Sequence, residues 1–411
     1  MKVFSPRALA LACLRHWRSG SVFADRIVAK KFALSTLSAP DRAFAVELFY
    51  GVLRNLTLLD FWIGRLRSAS VDATARDILR LGLYQVFLLA TAAHAAVFET
   101  VELTAPRRRS LINAILRRAL REKANLTRLA SEQPIATRFS HPQFLVEKWR
   151  QQFGAEVTEE LCRWNNQPAP NYARINPLKI GVPDFAQKYP ASIPLSEHPQ
   201  FVSLPEPAEA LASGDCYMQD PSTLLACKLL QPLPNEKVLD ACAAPGGKTA
   251  CLAALMANSG ALIATDRDEA RLERLRSNLI RLGVANESIV RCDWLESPGE
   301  LAKSKFDKIL VDAPCSNTGV MRRRVDVRWR LSPEDFLRMP AQQLAILRSV
   351  APLLKPGGSL VYSTCSLEPE ENETVVAEFL REHSSFRLTT SQKSLPFHEG
   401  YDGAFAARLE L

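Results

Sequence analysis

The stretch Lys237-Val-Leu-Asp-Ala-Cys-Ala-Ala-Pro-Gly-Gly-Lys-Thr249 constrains this chain more than any other. Val238-Leu239 is a short apolar strand, the next residues form a small-residue turn, and a helix starts at about Lys248. A strand, a glycine turn and a helix N-terminus present backbone N–H groups and a positive dipole end to a ligand. Ala243, Ala244, Gly246 and Gly247 carry little or no side chain, so that ligand can lie on the main chain itself.

The class of ligand follows from what surrounds the turn. A phosphate-binding loop needs G-x-x-x-x-G-K-[ST]; Gly247-Lys248-Thr249 supplies the end, but Cys242 stands where the leading glycine belongs. This disfavours a P-loop nucleotidase, and the dinucleotide pattern G-x-G-x-x-G is absent too. The helix 248–257 is followed by a strand, Ala261–Thr265, and then by Asp266. An acidic residue there, about 20 residues past the glycines, reaches ribose hydroxyls. An adenosine cofactor held by its ribose, with the turn taking its other end, suits S-adenosylmethionine better than a triphosphate.

A chain of 411 residues has room for about two or three domains. No apolar run approaches the ~20 residues of a membrane span. The apolar Ala8–Leu14 is cut short by Arg15, His16 and Arg18 without a cleavage site, and Ser5-Pro6 reads as a helix N-cap with proline at the first helical position. A cytoplasmic monomer with no membrane partner is the expectation. The nine cysteines form no C-x-x-C pair, and Cys13-x-x-His16 lacks a second half, so neither a zinc site nor another metal is expected. Cys162, Cys227 and Cys251 read as buried small hydrophobes.

Charge is unevenly placed. Residues 1–139 carry a net +12 and the remainder −4, so the first part is expected to meet a polyanion, most simply nucleic acid. Residues 1–135 read as an all-helical bundle. Leu79, Leu83, Val86 and Ala90 follow helical spacing, as do Leu111, Ile112, Ile115, Leu116 and Leu120, with Ser110 as N-cap. The turn before that last helix and its other face carry Arg107, Arg108, Arg109, Arg117, Arg118 and Arg121, a phosphate-contacting surface. His94, among small apolar residues, reads as a packed or capping histidine. Pro134 and Ser140-His141-Pro142 mark a boundary, a helix with Trp149 on its apolar side follows, and a proline-rich stretch completes a small, irregular α+β unit over 140–232. From 233 to 411, strands alternate with helices. The strands are Val238–Asp240, Leu262–Thr265, Ser288–Val290, Lys308–Val311 and Ser359–Tyr362. The pattern predicts a doubly wound, Rossmann-like α/β domain built on an open parallel sheet, with ligands at the strands' carboxyl ends.

Those strand ends carry the chemistry. Asp293 follows the third strand, where a carboxylate can accept from an adenine amino group. The fourth strand runs into Asp312-Ala-Pro-Cys315 and the fifth into Ser363-Thr-Cys365. A thiol at such an edge, near helix N-termini or cations, can act as a thiolate. Chemistry that needs both a methyl donor and a thiol is found at carbon 5 of a pyrimidine. Thiolate addition at carbon 6 makes carbon 5 nucleophilic, methyl transfer follows, and loss of the carbon 5 proton releases the enzyme. A second thiol fits as the helper in proton removal, and Asp312 can bond a protonated N3 or the exocyclic amine of cytosine. Spacing does not say which thiol plays which role.

The motifs Asp-Ala-Cys-Ala-Ala-Pro-Gly-Gly-Lys-Thr, Asp-Ala-Pro-Cys-Ser-x-Thr-Gly-Val and Ser-Thr-Cys-Ser-x-x-Pro-Glu-Glu-Asn, in that order, resemble the RNA cytosine-5 methyltransferases of the Nol1/Nop2/Sun family. Glu47–Arg54, Ile78–Gln85 and Leu111–Arg118 resemble the NusB-like RNA-binding domain fused to its bacterial branch, the RsmB/Sun (Fmu) family. The resemblance implies S-adenosylmethionine-dependent formation of 5-methylcytosine in 16S ribosomal RNA of the small subunit, and no DNA partner. It assigns Cys365 as the nucleophile and Cys315 as the releasing residue, and it maps cofactor contacts to Cys242–Lys248, Asp266, Asp293 and Asp312. Two departures stand out: Arg324-Val325-Asp326 where the family often has His-Pro before its Asp, and Asp402-Gly-Ala-Phe405 for Asp-Gly-Phe-Phe. A related transfer-RNA enzyme, or a non-catalytic ribosome-assembly factor with a relic cofactor pocket, are the competing readings.

Overall fold

The computed structural model describes residues 5–20, 22–89 and 91–411; Ala90 of the apolar stripe lies outside them. These residues form two compact units, one of residues up to Pro168 with Met321–Arg330, the other of Ala169–Val320 with Leu331–Leu411.

The first unit is helical through its described residues. Ser5 caps its first helix by accepting from the Ala8 N–H at 3.2 Å, and Asp72 accepts from Thr74 and Ala75 N–H at the start of Ala73–Phe87. These caps satisfy donors that have no intrahelical partner. The apolar faces converge on Leu48, Phe49, Leu53, Ile78, Leu79, Leu83, Ile112 and Leu116, all buried. Gly51 lets two helices approach closely, since a Cβ there would lie 2.0 Å from the Tyr84 ring.

The helix expected to start at Ser110 begins earlier. It spans Pro106–Arg121, with Ala105 at the N-cap, because Pro106 already has the helical φ and no N–H to satisfy. Its arginines are partly spoken for: Arg108 pairs with Asp72, Arg109 with Glu102 and Arg118 with Glu122, while Arg107, Arg117 and Arg121 are exposed. Trp149 is buried on Gln143–Phe153 as expected, and His94 is exposed, stacked on Phe98.

Met321–Arg330 is anchored within this unit. Asp326 accepts from the Ala24 N–H at 2.9 Å and from Trp17 Nε1 at 3.3 Å. The fully buried Arg328 donates to Ser140 O, Asn165 O and Asn166 Oδ1. Burial lowers its pKa to about 9.

The second unit holds two sheets. Strands β1 (Tyr172–Ile175), β2 (Ile193–Leu195), β3 (His198–Ser203) and β4 (Cys216–Met218) form an antiparallel sheet of order β2-β3-β1-β4. Pro194 sits on its edge strand, where a missing donor is tolerated. Strands β5 (Lys237–Asp240), β6 (Ala261–Asp266), β7 (Glu287–Arg291), β8 (Phe306–Asp312), β9 (Leu354–Thr364), β10 (Arg387–Ser394) and β11 (Ala404–Glu410) form a sheet of order β10-β11-β9-β8-β5-β6-β7. β5 to β9 are parallel, in the doubly wound arrangement expected. The sheet as a whole is mixed, however, because β10 and β11 add antiparallel strands to its edge. Sequence reading missed both. β10 is largely exposed and polar, so it offers no apolar run to recognise.

Candidate active site

The cradle forms where β5 ends. The chain turns through Ala241–Gly246 into the helix Gly247–Leu255. Gly246 has φ +106°, a region that favours glycine, and a Cβ on Gly247 would lie 2.6 Å from the Tyr217 ring. The turn is held from behind: Ala243 N–H donates to Thr265 O, Arg271 to Ala244 O, Asn278 to Pro245 O, and Arg174 to Gly247 O. Cys242 is half-buried beside Asp240, Asp266 and Asp312; burial first, and then those charges, push its thiol well up. Asp240 is fully buried and accepts from Thr249 Oγ1 at 2.7 Å, while its Oδ1 lacks a partner of good geometry. Burial raises its pKa to about 7.

Asp266 ends β6, nearly buried, with Oδ1 accepting from Asp268 N–H and Oδ2 3.2 Å from Arg271. Asp293 lies half-buried past neighbouring β7 and accepts from Leu295 N–H at 3.0 Å. A bare-backbone turn at a helix N-terminus, a buried carboxylate oxygen without a hydrogen bond of good geometry, and carboxylates past the next two strands fit an adenosine cofactor with a charged amino-acid end.

The reactive end lies past β8 and β9. Lys248 Nζ is 2.7 Å from Asp312 Oδ2, and Ser363 Oγ donates to Asp312 Oδ1 at 2.9 Å. Burial alone would lower the Lys248 pKa; the charge and hydrogen bond of Asp312, together with Cys227 and Cys365, outweigh it and hold the ammonium charged. Cys315 Sγ and Cys365 Sγ are 3.2 Å apart. The Cys365 thiol donates to Asn317 Oδ1 at 3.3 Å, and Asn317 in turn donates to Cys315 O. Cys315 is buried. Its hydrogen bond with Cys365, then burial, then the charges of Cys365 and Glu371 push its thiol well up.

Cys365 opens into a cleft lined by Thr223, Lys248, Ser363, Thr364, Ala404 and Phe405, among others. Its wall includes a tight backbone crossing: Gly319 N–H donates to Cys365 O at 2.9 Å, and Gly403 N–H to Gly319 O at 2.8 Å. The structure thus gathers Cys315, Cys365, Lys248 and Asp312 at one point, with Asp240 and the turn beside them and Asp266 and Asp293 along the neighbouring strand ends. Sequence reading missed Asn317, Ser363, Glu371 and the Gly319–Gly403 crossing. Thr318-Gly319 in the loop after β8 and Asp402-Gly403 just before β11 were the available signal for the crossing.

Comparison with known proteins covers nearly the whole chain. Residues 227–410 match the family model "16S rRNA methyltransferase RsmB/F", residues 5–121 the NusB family, and residues 141–197 an RsmF/B-like ferredoxin-like domain. The ribosomal RNA small subunit methyltransferase B of Serratia proteamaculans is 35% identical over 91% of this chain and 91% of its own length. A methyltransferase homologue from Pyrococcus horikoshii, 31% identical, superposes with TM-score 0.59 over 67% of this chain and 98% of its own. The protein PH0851, at 23% identity, shares the fold across 99% of both chains with TM-score 0.80.

Proposed function

The chain belongs to the 16S rRNA methyltransferase RsmB/F family, and on that premise we propose that it forms 5-methylcytosine in small-subunit ribosomal RNA, with S-adenosylmethionine as methyl donor and a Cys365–cytosine bond as intermediate. The observation that carries this reading is the pair of sulfurs 3.2 Å apart at the ends of adjacent strands, facing the Lys248–Asp312 pair.

Cys365 Sγ adds to carbon 6 of the cytosine, and the electron pair of the C5–C6 bond becomes available at carbon 5. Asp312 holds the exocyclic amine or protonated N3, and Lys248 keeps the site electropositive while the thiolate forms. The cofactor, when bound, supplies the methyl group that carbon 5 takes. Cys315, its own proton released to solvent once Cys365 is bound to carbon 6, then accepts the carbon 5 proton as a thiolate. The C–H electron pair restores the C5–C6 bond, and the C6–S pair returns to Cys365. Once Cys365 is a neutral thioether, one of the charges that raises the Cys315 pKa is gone. Its loss favours the Cys315 thiolate, the base that the carbon 5 proton needs.

As modules of this activity we propose residues 1–135 as a NusB-like RNA-binding domain, 140–232 as a small RNA-binding linker domain, and 233–411 as the catalytic domain. Cofactor contacts fall to Cys242, Ala243, Ala244, Pro245, Gly246, Gly247, Lys248, Asp266, Asp293 and Asp312, and the enzyme works as a cytoplasmic monomer. No helix among the described residues is long and apolar enough to cross a membrane. Bisulfite sequencing of ribosomal and transfer RNA from a deletion strain tests the reading. One small-subunit cytosine should lose its methyl group and regain it with the wild-type chain but not with Cys365→Ala. Loss confined to transfer RNA would favour the transfer-RNA enzyme, and no loss at all the assembly factor.

A further inference from the structure

Glu371 lies in the Pro-Glu-Glu-Asn segment after Cys365 and does not line the cleft. It is fully buried, and among the described residues no cation pairs with it. Burying a carboxylate without a cation is costly unless donors satisfy it, and here four do. Ser316 N–H donates to Oε2 at 2.9 Å and Gln343 Nε2 to the same oxygen at 2.8 Å. Ser366 Oγ donates to Oε1 at 2.7 Å, and Ser316 Oγ donates to Oε1 as well.

The placement of those donors is informative. Ser316 directly follows Cys315 and Ser366 directly follows Cys365, so one carboxylate grips the residue after each thiol. The clamp has its own supports. Gln343 also donates to Pro314 O, on the other side of Cys315. Tyr362 OH donates to Glu371 O, and Asn372 donates to Ser366 O while accepting from Thr364 Oγ1. A carboxylate that merely filled a gap between strands would have no reason to select both thiol loops.

We propose that Glu371 is a positioning residue for the reaction: its two carboxylate oxygens hold the Cys315 and Cys365 loops in register, so that the nucleophilic and proton-accepting sulfurs stay side by side. This rests on the roles given to the two thiols above. Glu371 touches neither thiol through a hydrogen bond of its own, and its negative charge is one of the causes that keep Cys315 protonated.

Glu371→Gln in the full chain tests this. The amide keeps the volume but sets an NH₂ group against donors that need an acceptor. The first readout needs no methyl transfer. A diazenedicarboxamide oxidant takes two electrons and two protons from a thiol pair held in contact, giving a disulfide and the corresponding hydrazine, and mass spectrometry maps the Cys315–Cys365 product. The second readout is steady-state methylation. The variant should close the disulfide about tenfold or more slowly and lose about 10- to 100-fold in kcat, with KM for RNA and for S-adenosylmethionine within about twofold of wild type. Closure at the wild-type rate overturns the proposal, whatever happens to kcat. If Glu371→Gln does not fold, Gln343→Ala, which removes one donor and the tie to Pro314, should slow both readouts by a smaller factor, and no slowing would overturn the proposal equally. A wild-type chain that closes the disulfide rapidly, and more slowly with Glu371→Gln, yet makes no Cys365-dependent 5-methylcytosine would sink the functional reading while supporting the role of Glu371 in thiol placement.

Discussion

The Sγ atoms of Cys315 and Cys365 lie 3.2 Å apart although 50 residues separate them in the chain. The sheet brings this about. β8 and β9 are parallel neighbours in which Asp312 pairs with Ser363, so residues just past the two strand ends emerge side by side, roughly one strand spacing of ~5 Å apart. Loops that leave adjacent parallel strands at the same edge need only a clamp to bring their side chains into contact.

Asp312→Asn should cost turnover more than binding. The substitution leaves Lys248 without the carboxylate 2.7 Å away and replaces the charged acceptor for the cytosine amine with a neutral amide. We expect kcat to fall by about 10²-fold or more with a smaller change in KM for RNA, measured by steady-state methylation. Wild-type kcat would remove Asp312 from the reaction.

Gly319→Ala should damage the site through the backbone. A Cβ there would lie 2.8 Å from Cys365 O and equally close to Gly403 Cα and O, all main-chain atoms that cannot rotate away. Overpacking of this kind costs about 1–3 kcal/mol, so a lower Tm and a displaced Cys365 with reduced kcat are expected. A variant with unchanged Tm and turnover would contradict the crossing described for this wall.

Asp240 gives a pH signature. Its folded-state pKa is raised to about 7 by burial, above the ~3.9 of an exposed aspartate. A group raised on folding contributes stability that is fully present below the unfolded value and lost as pH rises through the folded one. The stability of wild type relative to Asp240→Asn should therefore decline between about pH 4 and pH 7 and level off above that. Thermal melts of both chains across this range check it, and a difference that does not vary with pH would contradict the assignment.

Much of this architecture was legible in the sequence because local physics and function agreed there. The strand–turn–helix at Val238–Lys248 announced itself through small residues that only a close ligand requires, and the apolar runs of β5, β6, β8 and β9 placed Asp312, Cys315 and Cys365 on one edge. What could not be read depended on partners far away in sequence. β10 has no apolar pattern, being an exposed edge strand held by pairing with β11. Nothing local to Glu371 shows that Ser316 and Gln343 would turn to face it. Ser110 misled in the other direction, as a good cap residue overruled by Pro106 four positions earlier.

The most direct measurement is to trap the intermediate. Cys315→Ala, incubated with small-subunit ribosomal RNA and S-adenosylmethionine, should accumulate a covalent chain–RNA species, resolved by denaturing electrophoresis and mapped to Cys365 by mass spectrometry of the digested adduct. Cys315→Ala/Cys365→Ala should form none. An adduct that persists in the double variant, or that maps to any other residue, would contradict the assignment of Cys365 as the nucleophile.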